Sequence, residues 1–233
     1  MGIENFEPTN RHNNEHEEEK FLILTKWREW EIEGCNRWIR EILNQIELIE
    51  KLHGTVGAII CTETSSVALG YAIKAGLEKL GGKWVIPKFL RINVKPFKNN
   101  IVSIEKGLPF SNHYEKTGFE NSLSGLERKI DELNLNKTNF FILDEFTYSG
   151  NTVASVKYLL EKVGIDEGQI FSSLYDYPEC SSLRSSIKPT ELKDFISSET
   201  GIVKGKEKRE KAQNLIHDMK ILGKLAAQEL CQT

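Results

Sequence analysis

Two adjacent acidic residues, followed by a small polar loop, are the strongest chemical signal in this chain. In "FFILDEFTYSGNT" (residues 140–152), an apolar run leads directly into Asp144 and Glu145, and Gly150 and Thr152 then precede a helical pattern. Backbone N–H groups and hydroxyls at such a helix start suit a phosphate. Carboxylates suit the two hydroxyls of a diol, or Mg²⁺. Together these residue types predict a site for a phosphorylated ribose.

The same stretch resembles the phosphoribosyl pyrophosphate (PRPP) motif of type I phosphoribosyltransferases, where an apolar strand, two acids and a loop ending in Thr/Ser-Gly-x-Thr follow one another. The resemblance implies that Asp144 and Glu145 are catalytic, approaching the ribose hydroxyls and helping to hold Mg²⁺. The implied reaction transfers the phosphoribosyl group to an acceptor and releases pyrophosphate. The resemblance also implies a cradle for the 5′-phosphate, formed by Thr147, Tyr148, Ser149, Gly150, Asn151 and Thr152.

Two residues depart from the family pattern. Glu145 stands where the second acid is usually Asp, so the diol would sit differently against the longer side chain. Tyr148 stands where purine-salvage members often carry an Asp that acts near the purine ring. A phenol with an ordinary pKa of about 10 cannot replace a carboxylate base. This argues against a hypoxanthine/guanine enzyme, and the acceptor stays open.

A second loop is predicted after the first core strand, where members of the family bind pyrophosphate. The segment "CTETSS" occupies that place and is poor in glycine. Its hydroxyl groups could equally cap a helix. Lys88 and Lys95 are further candidate cations, although each such charge could simply be solvated. The resemblance implies a pyrophosphate site formed by Thr62, Glu63, Thr64, Ser65, Ser66 and Arg91.

The elements that must position these residues alternate between strand and helix patterns. This alternation predicts an α/β fold with a parallel sheet, right-handed crossovers and helices on both faces. Ligands of such sheets bind beyond the carboxyl ends of the strands, where the loops 62–66 and 144–152 are expected. The predicted strands are 55–61, 84–92, 139–143 and 169–177, and the helices between them are 67–82, 121–134 and 151–164.

Residues 93–118 are mostly polar, with a small apolar island. This pattern predicts a hairpin or a mobile flap at the place where the family has its catalytic flap. The side chains that could close over a substrate from this segment are Lys98, Lys106, His113 and Lys116.

Three regions are expected along the chain. Residues 55–177 form the phosphoribosyltransferase-like core, and residues 178–233 form a C-terminal helical segment that packs on it. Residues 1–54 form an N-terminal helical extension, divided by Gly34 into two helices. This extension either packs onto the core or forms an interface with a protein partner or a second copy. The resemblance also implies a hood that selects the acceptor, which residues 1–54 or 178–233 would form. Its tryptophans are Trp27, Trp30 and Trp38.

Composition limits the functional classes. A formal net charge of -3 gives no global basic field, so nucleic-acid binding through bulk charge is not expected. No apolar stretch is long enough to span a bilayer, which predicts a protein without membrane contact. The four cysteines contain no CxxC pair, which is typical of a reduced chain. With no signal-peptide pattern, the expected location is the cytoplasm.

Two other functional classes remain beside the transferase. The altered Glu145, the glycine-poor first loop and the tryptophan-rich extension favour a non-catalytic protein that binds PRPP or a nucleotide. Such a regulator or effector would work in a larger complex, for example a bacterial anti-phage module of the retron type. A phosphate-binding hydrolase is less favoured, because it needs a second acid two residues after Asp144, where Phe146 stands.

Overall fold

The computed structural model describes residues 29–81, 85–144, 150–172 and 206–232. Short 3₁₀ turns at Lys98–Asn100 and Glu167–Gln169 interrupt the regular elements. In chain order the elements are α1 (Glu29–His53), β1 (Val56–Thr62), α2 (Glu63–Leu80), β2 (Lys88–Ile92), α3 (Ile101–Glu105), α4 (His113–Glu132), β3 (Asn139–Leu143), α5 (Asn151–Lys162), β4 (Ile170–Ser172) and α6 (Lys206–Gln232).

Four of these elements form a parallel sheet in the order β2-β1-β3-β4. The chain leaves β1 towards β2 on one side and leaves β3 towards β4 on the other. The carboxyl ends of β1 and β3 therefore flank the point where the strand order reverses, which is where ligands of open α/β sheets bind. The predicted α/β fold with a parallel sheet is confirmed.

Alternating strand residues separate two apolar layers, one on each face of the sheet. In β1, Ile59 and Cys61 pack with α1, α2 and α6, whereas Ala58 and Ile60 pack with α3, α4 and α5. Both β1 and β3 are buried along their whole length, as expected for parallel strands covered on both faces. Helices on both faces of the sheet were predicted, and this is confirmed.

Helices α2 and α6 approach each other closely because glycines face each other across their contact. A Cβ atom on Gly223 would overlap the carbonyl oxygen of Ala72, and one on Gly76 would lie 3.1 Å from the carbonyl oxygen of Gly223. The contact is lined by buried side chains of α6 such as Met219 and Leu222. This packing fixes α2, whose first residues follow the candidate site.

Helix α1 is continuous from Glu29 to His53, so the predicted break at Gly34 is wrong. Neighbouring apolar residues on both sides of Gly34 pack on the sheet layer, and this tertiary packing outweighs the intrinsic cost of one helical glycine. Trp38 is buried in the same layer, which matches the core interpretation of that residue. Trp27 and the side chain of Trp30 lie outside the described part of the chain.

The hairpin predicted at 93–118 is also wrong, whereas the role of this segment as a flap stays a prediction. The segment holds a 3₁₀ turn, the short helix α3 and the start of α4, which begins at His113 rather than at residue 121. Phe97, Ile101 and Ile104 are buried beneath it, so the apolar island anchors the segment to the core. Asn112 caps α4 by accepting a hydrogen bond from the N–H of Glu115 at 3.0 Å.

Boundaries of other elements also differ from the predictions or are only partly described. Strand β2 begins at Lys88, just after Pro87, because proline has no N–H group for a sheet hydrogen bond. Helix α4 ends at Glu132 rather than at residue 134, where Asn134 has a positive φ of 54°. Strand β4 is described only for Ile170–Ser172, so residues 173–177 of the predicted strand lie outside the described residues.

No helix within the described ranges is long and apolar enough to cross a membrane.

Candidate active site at the switch point

Asp144 directly follows β3 and lies beside the end of β1. Pairing of Cys61 with Leu143 aligns the carboxyl ends of these two strands, so the next residues, Thr62 and Asp144, are neighbours. The Thr62 hydroxyl donates a hydrogen bond to Oδ1 of Asp144 at 3.0 Å and contacts the Leu143 carbonyl oxygen at 3.3 Å. Thr62 is fully buried and Asp144 is 7% exposed. A buried carboxylate is thus held at the switch point by a donor from the neighbouring strand.

Helix α5 follows the acidic pair in the sequence. Its N-cap residue is Gly150, which adopts a left-handed conformation with φ 70°. A glycine is needed there, because L-residues with a side chain are strained at such angles. The Gly150 carbonyl accepts the N–H of Ala154 at 2.9 Å and so starts the helical ladder. The first N–H groups of a helix have no acceptor within the helix. Asn151 and Thr152 are half-buried at this end of α5.

Residues 145–149, between Asp144 and Gly150, lie outside the described residues. The predicted site residues Glu145, Thr147, Tyr148 and Ser149 therefore have no described position. Asp144 directly follows β3, and Gly150 directly precedes α5. The end of a central strand and a helix start at a glycine therefore occur in the order that the sequence predicted.

The loop predicted for residues 62–66 is wrong, because β1 passes directly into α2 at Glu63. The binding of pyrophosphate by these residues stays a prediction. Thr62 makes no cap for α2 and instead reaches across the sheet to Asp144. The buried Ser66 hydroxyl donates to the Thr62 carbonyl oxygen within the helix. Both hydroxyls therefore have structural partners. The side chains of Glu63, Thr64 and Ser65 are outside the described set, although their backbone forms the first turn of α2.

The candidate cations lie at different distances from the site. Arg91 is exposed and pairs in the sheet with Cys61, close to the carboxyl edge. Lys88 is the first residue of β2, four positions before Ile92. At about 3.3 Å per residue, it lies about 13 Å from that edge. Lys95 is exposed just beyond the strand. Only Arg91 and Lys95 are near the end of the sheet that carries Asp144.

The flap candidates are built into regular structure. His113 is the first residue of α4, and its Nε2 lies 3.3 Å from the Thr117 hydroxyl. Lys116 forms an ion pair with Glu120 one helical turn away, at 3.8 Å. Lys98 lies in the 3₁₀ turn, and Lys106 follows α3. All four residues therefore lie in or directly beside helical elements rather than in a hairpin.

Within the described ranges, no group of three or more His, Cys, Asp or Glu side chains could hold a metal ion. Mg²⁺ does not need such a group, since it usually keeps several waters and binds one or two carboxylates together with substrate phosphates. The buried Asp144 followed by the acidic Glu145 fits this donor set.

No protein-family model, curated protein or solved structure matches this chain. The site is therefore interpreted from its own residues and topology.

Two carboxyl groups with shifted pKa values lie outside the candidate site. Hydrogen bonds from Asn100 lower the pKa of Glu115 near the start of α4, and burial raises the pKa of Glu50 in α1.

Two features of the structure have no counterpart in the sequence prediction. One is the role of Thr62 as the partner of Asp144. The other is a cavity beside α4, whose lining includes Tyr114, Arg128 and Lys129. A spacing of three and four between polar and small residues along α4 could have indicated that cavity. The predicted flap ended at residue 118 and the predicted helix began at residue 121, so this spacing was divided between two predicted elements.

Proposed function

We propose that this chain is a phosphoribosyltransferase-like protein that binds PRPP with Mg²⁺ and transfers the phosphoribosyl group to an acceptor. The observation that carries the proposal is the buried Asp144, held by Thr62 at the switch point, together with the left-handed Gly150 six positions later at the start of α5. A carboxylate for a diol and a helix N-terminus, separated by a few residues of sequence, suit the two ends of a ribose 5-phosphate.

In the proposed reaction, the bond between C1 of the ribose and the pyrophosphate oxygen breaks, and its electron pair leaves with pyrophosphate. A nucleophilic atom of the acceptor forms the new bond to C1 and gives up its proton. Asp144 and Glu145 would hold the ribose hydroxyls, and their charge would stabilise the positive charge that develops on the sugar. The N–H groups of Gly150, Asn151 and Thr152 would fix the 5′-phosphate.

Asp144 and Glu145 would also hold Mg²⁺. When bound, this ion neutralises charge on the leaving pyrophosphate. The proposed location is the cytoplasm, and the proposed ligand is a phosphorylated ribose.

The test is calorimetry with PRPP, with and without Mg²⁺, on the wild type and on Asp144→Asn/Glu145→Gln. We expect the double variant to bind PRPP about 10- to 100-fold more weakly, since hydrogen bonds to charged groups contribute about 1.5–3 kcal/mol each. The matched control is Asp131→Asn/Glu132→Gln, an adjacent acid pair at the end of α4 with the same change in charge. Equal affinity of the wild type and the site variant would refute the proposal.

A second candidate function is a protein that binds PRPP or a nucleotide without transfer, as a regulator or effector in a larger complex. The direct passage from β1 into α2 favours it, because Thr62 and Ser66 direct their hydroxyls to partners inside the fold. The pyrophosphate half of PRPP would then depend mainly on backbone N–H groups at the start of α2.

Ribose 5-phosphate separates the two candidates in the same calorimeter. A non-catalytic binder with a weak grip on pyrophosphate should bind ribose 5-phosphate and PRPP within about tenfold of each other, a difference of 1.4 kcal/mol. It should also release no pyrophosphate with any of a panel of nucleobases. Steady pyrophosphate production with one base would exclude this second candidate and identify the acceptor class.

A further inference from the structure

An open cavity of about 470 Å³ runs along one face of α4, beside the end of β2. We call it the α4 groove. Its volume is within the range of about 300–1,000 Å³ that is typical of small-molecule sites. Asn93 forms one wall, and its carbonyl oxygen accepts the Ser122 hydroxyl at 2.8 Å. The floor is close-packed where Gly118 meets Pro96, since a Cβ atom on Gly118 would overlap the proline ring.

The groove is long and its two ends differ chemically. Tyr114 and Lys129 both line it and are fifteen positions apart on α4. At a rise of 1.5 Å per residue they are about 22 Å apart along the helix. Tyr114 is 68% exposed and offers an aromatic face at one end. Arg128 and Lys129 place two positive charges at the other end.

The charged residues that line the groove are all basic. Arg91, Arg128 and Lys129 line the groove, and no acidic residue does, although α4 itself contains several acids. Nε of Arg128 lies 3.8 Å from Glu132, and both side chains are well exposed. Such surface ion pairs contribute little, so the guanidinium can exchange this partner for a phosphate. Arginine binds phosphate through two parallel hydrogen bonds.

The cationic end is remote from the candidate active site. Only the short turn from Leu133 to Thr138 separates α4 from β3, so Arg128 and Lys129 lie towards the amino end of that strand. Asp144 follows the carboxyl end of the same strand. A ligand whose phosphates contact Arg128 and Lys129 therefore has its phosphates away from Asp144, although Arg91, a candidate pyrophosphate residue, also lines the groove.

We propose that the α4 groove binds a nucleoside polyphosphate, with its base against Tyr114 and its phosphates against Arg128 and Lys129. The amides of Asn93 and Asn121 line the middle of the groove and supply hydrogen-bond donors and acceptors for the sugar and base. This site is additional to the proposed ribose 5-phosphate site at Asp144, and it shares the candidate residue Arg91 with the proposed pyrophosphate site.

Gly125 provides the sharpest test. It lines the groove, and a Cβ atom there would meet nothing within 4 Å, so a large side chain enters the groove without disturbing the helix. The probe is ATP, titrated by calorimetry without divalent metal. We expect the wild type to bind ATP and Gly125→Trp to lose about tenfold or more in affinity. Ser124→Trp, at an exposed neighbouring position outside the groove lining, is the matched control and should bind like the wild type.

A second pair of variants tests the charges. Arg128→Gln/Lys129→Gln should weaken ATP binding by about tenfold or more, whereas Lys106→Gln/Lys137→Gln makes the same charge change at exposed sites and should not. Adenosine and tripolyphosphate should each bind more weakly than ATP, because each occupies only one end.

The site variant Asp144→Asn/Glu145→Gln should retain ATP affinity, which separates a failure of this proposal from a failure of the proposed function. The inference is overturned if the wild type does not bind ATP at millimolar concentration. It is equally overturned if folded Gly125→Trp and Arg128→Gln/Lys129→Gln both bind ATP like the wild type, or if ATP affinity depends on Asp144 and Glu145 instead.

Discussion

Replacing Thr62 by valine should destabilise the fold, because it removes the hydrogen bond to a buried carboxylate. The Thr62 hydroxyl donates to Oδ1 of Asp144 at 3.0 Å, and both residues are buried. Valine has nearly the same shape as threonine, so the cavity term is small and the lost donor dominates. Without this donor, the buried Asp144 carboxylate loses a hydrogen bond that offsets its loss of hydration.

The expected magnitude follows from the charge on the acceptor. Hydrogen bonds to charged groups contribute about 1.5–3 kcal/mol, compared with about 1 kcal/mol for neutral pairs. We therefore expect Thr62→Val to lower the free energy of unfolding by about 2 kcal/mol. Thr62→Ser keeps the hydroxyl and loses one methyl group, which should cost about 1 kcal/mol. Thr138→Val is the neutral control, because the Thr138 hydroxyl donates to the Leu135 carbonyl oxygen at 2.9 Å, and it should cost about 1 kcal/mol.

The assay is urea unfolding followed by tryptophan fluorescence, since Trp38 is buried in the core. Unchanged m-values across the variants would show that the midpoints report stability alone. A double-mutant cycle with Asp144→Asn isolates the part of the Thr62→Val cost that depends on the charge of the acceptor. In an Asp144→Asn background the acceptor is neutral, so Thr62→Val should cost only about 1 kcal/mol. If Thr62→Val costs no more than Thr138→Val, and Asp144→Asn does not reduce that cost, the inferred carboxylate bond is refuted.

Three further substitutions test other parts of the fold. Gly150→Ala should cost about 1 kcal/mol through backbone strain alone, because φ is 70° and the space around it is open; a neutral result in the urea assay would contradict the left-handed helix start. Gly223→Ala should cost about 3 kcal/mol or more, because the new methyl group would overlap the Ala72 carbonyl oxygen; thermal unfolding close to that of the wild type would contradict this contact. Burial raises the pKa of Glu50, although its hydrogen bond from the N–H of Val56 lowers it. The folded state therefore favours the protonated form, and stability falls as pH rises from about 4.3 through the raised pKa. Glu50→Gln should remove this loss, so its melting temperature relative to the wild type should be higher at pH 7 than at pH 4, and an unchanged difference would refute the shift.

The sheet could be predicted because its strands carry a local signal. The cores of β1 and β3 are apolar on both faces, and the structure buries every residue of both. The start of α2 could not be predicted in the same way. Serine and threonine before an apolar run usually indicate a cap, but the Thr62 hydroxyl bonds to a residue 82 positions away. A contact at that separation is set by strand order, which no local pattern contains.

The segment at 93–118 failed as a prediction for a related reason. Its polar composition is typical of a loop, but Phe97 and Ile101 are almost fully buried, and Phe97 packs edge-on against Phe119 of α4 with ring centroids 5.3 Å apart. A few apolar residues, correctly spaced, are enough to fix a mostly polar segment onto a core. Their partners lie on α4, on α5 and on the sheet, outside the segment itself, so the sequence of the segment alone did not reveal them.

The two ends of the candidate site differ in how firmly the fold specifies them. Asp144 is fixed by strand pairing and by a buried donor, so its position is set by the sheet itself. Among the side chains that the structure describes, the pyrophosphate side has no equivalent, because β1 enters α2 without a loop and the hydroxyls of Thr62 and Ser66 have partners inside the fold. Transfer requires stronger stabilisation of the leaving pyrophosphate in the transition state than in the ground state. Binding of a phosphorylated ribose requires only the Asp144 side, so the fold supports the binding half of the proposed function more directly than the transfer half.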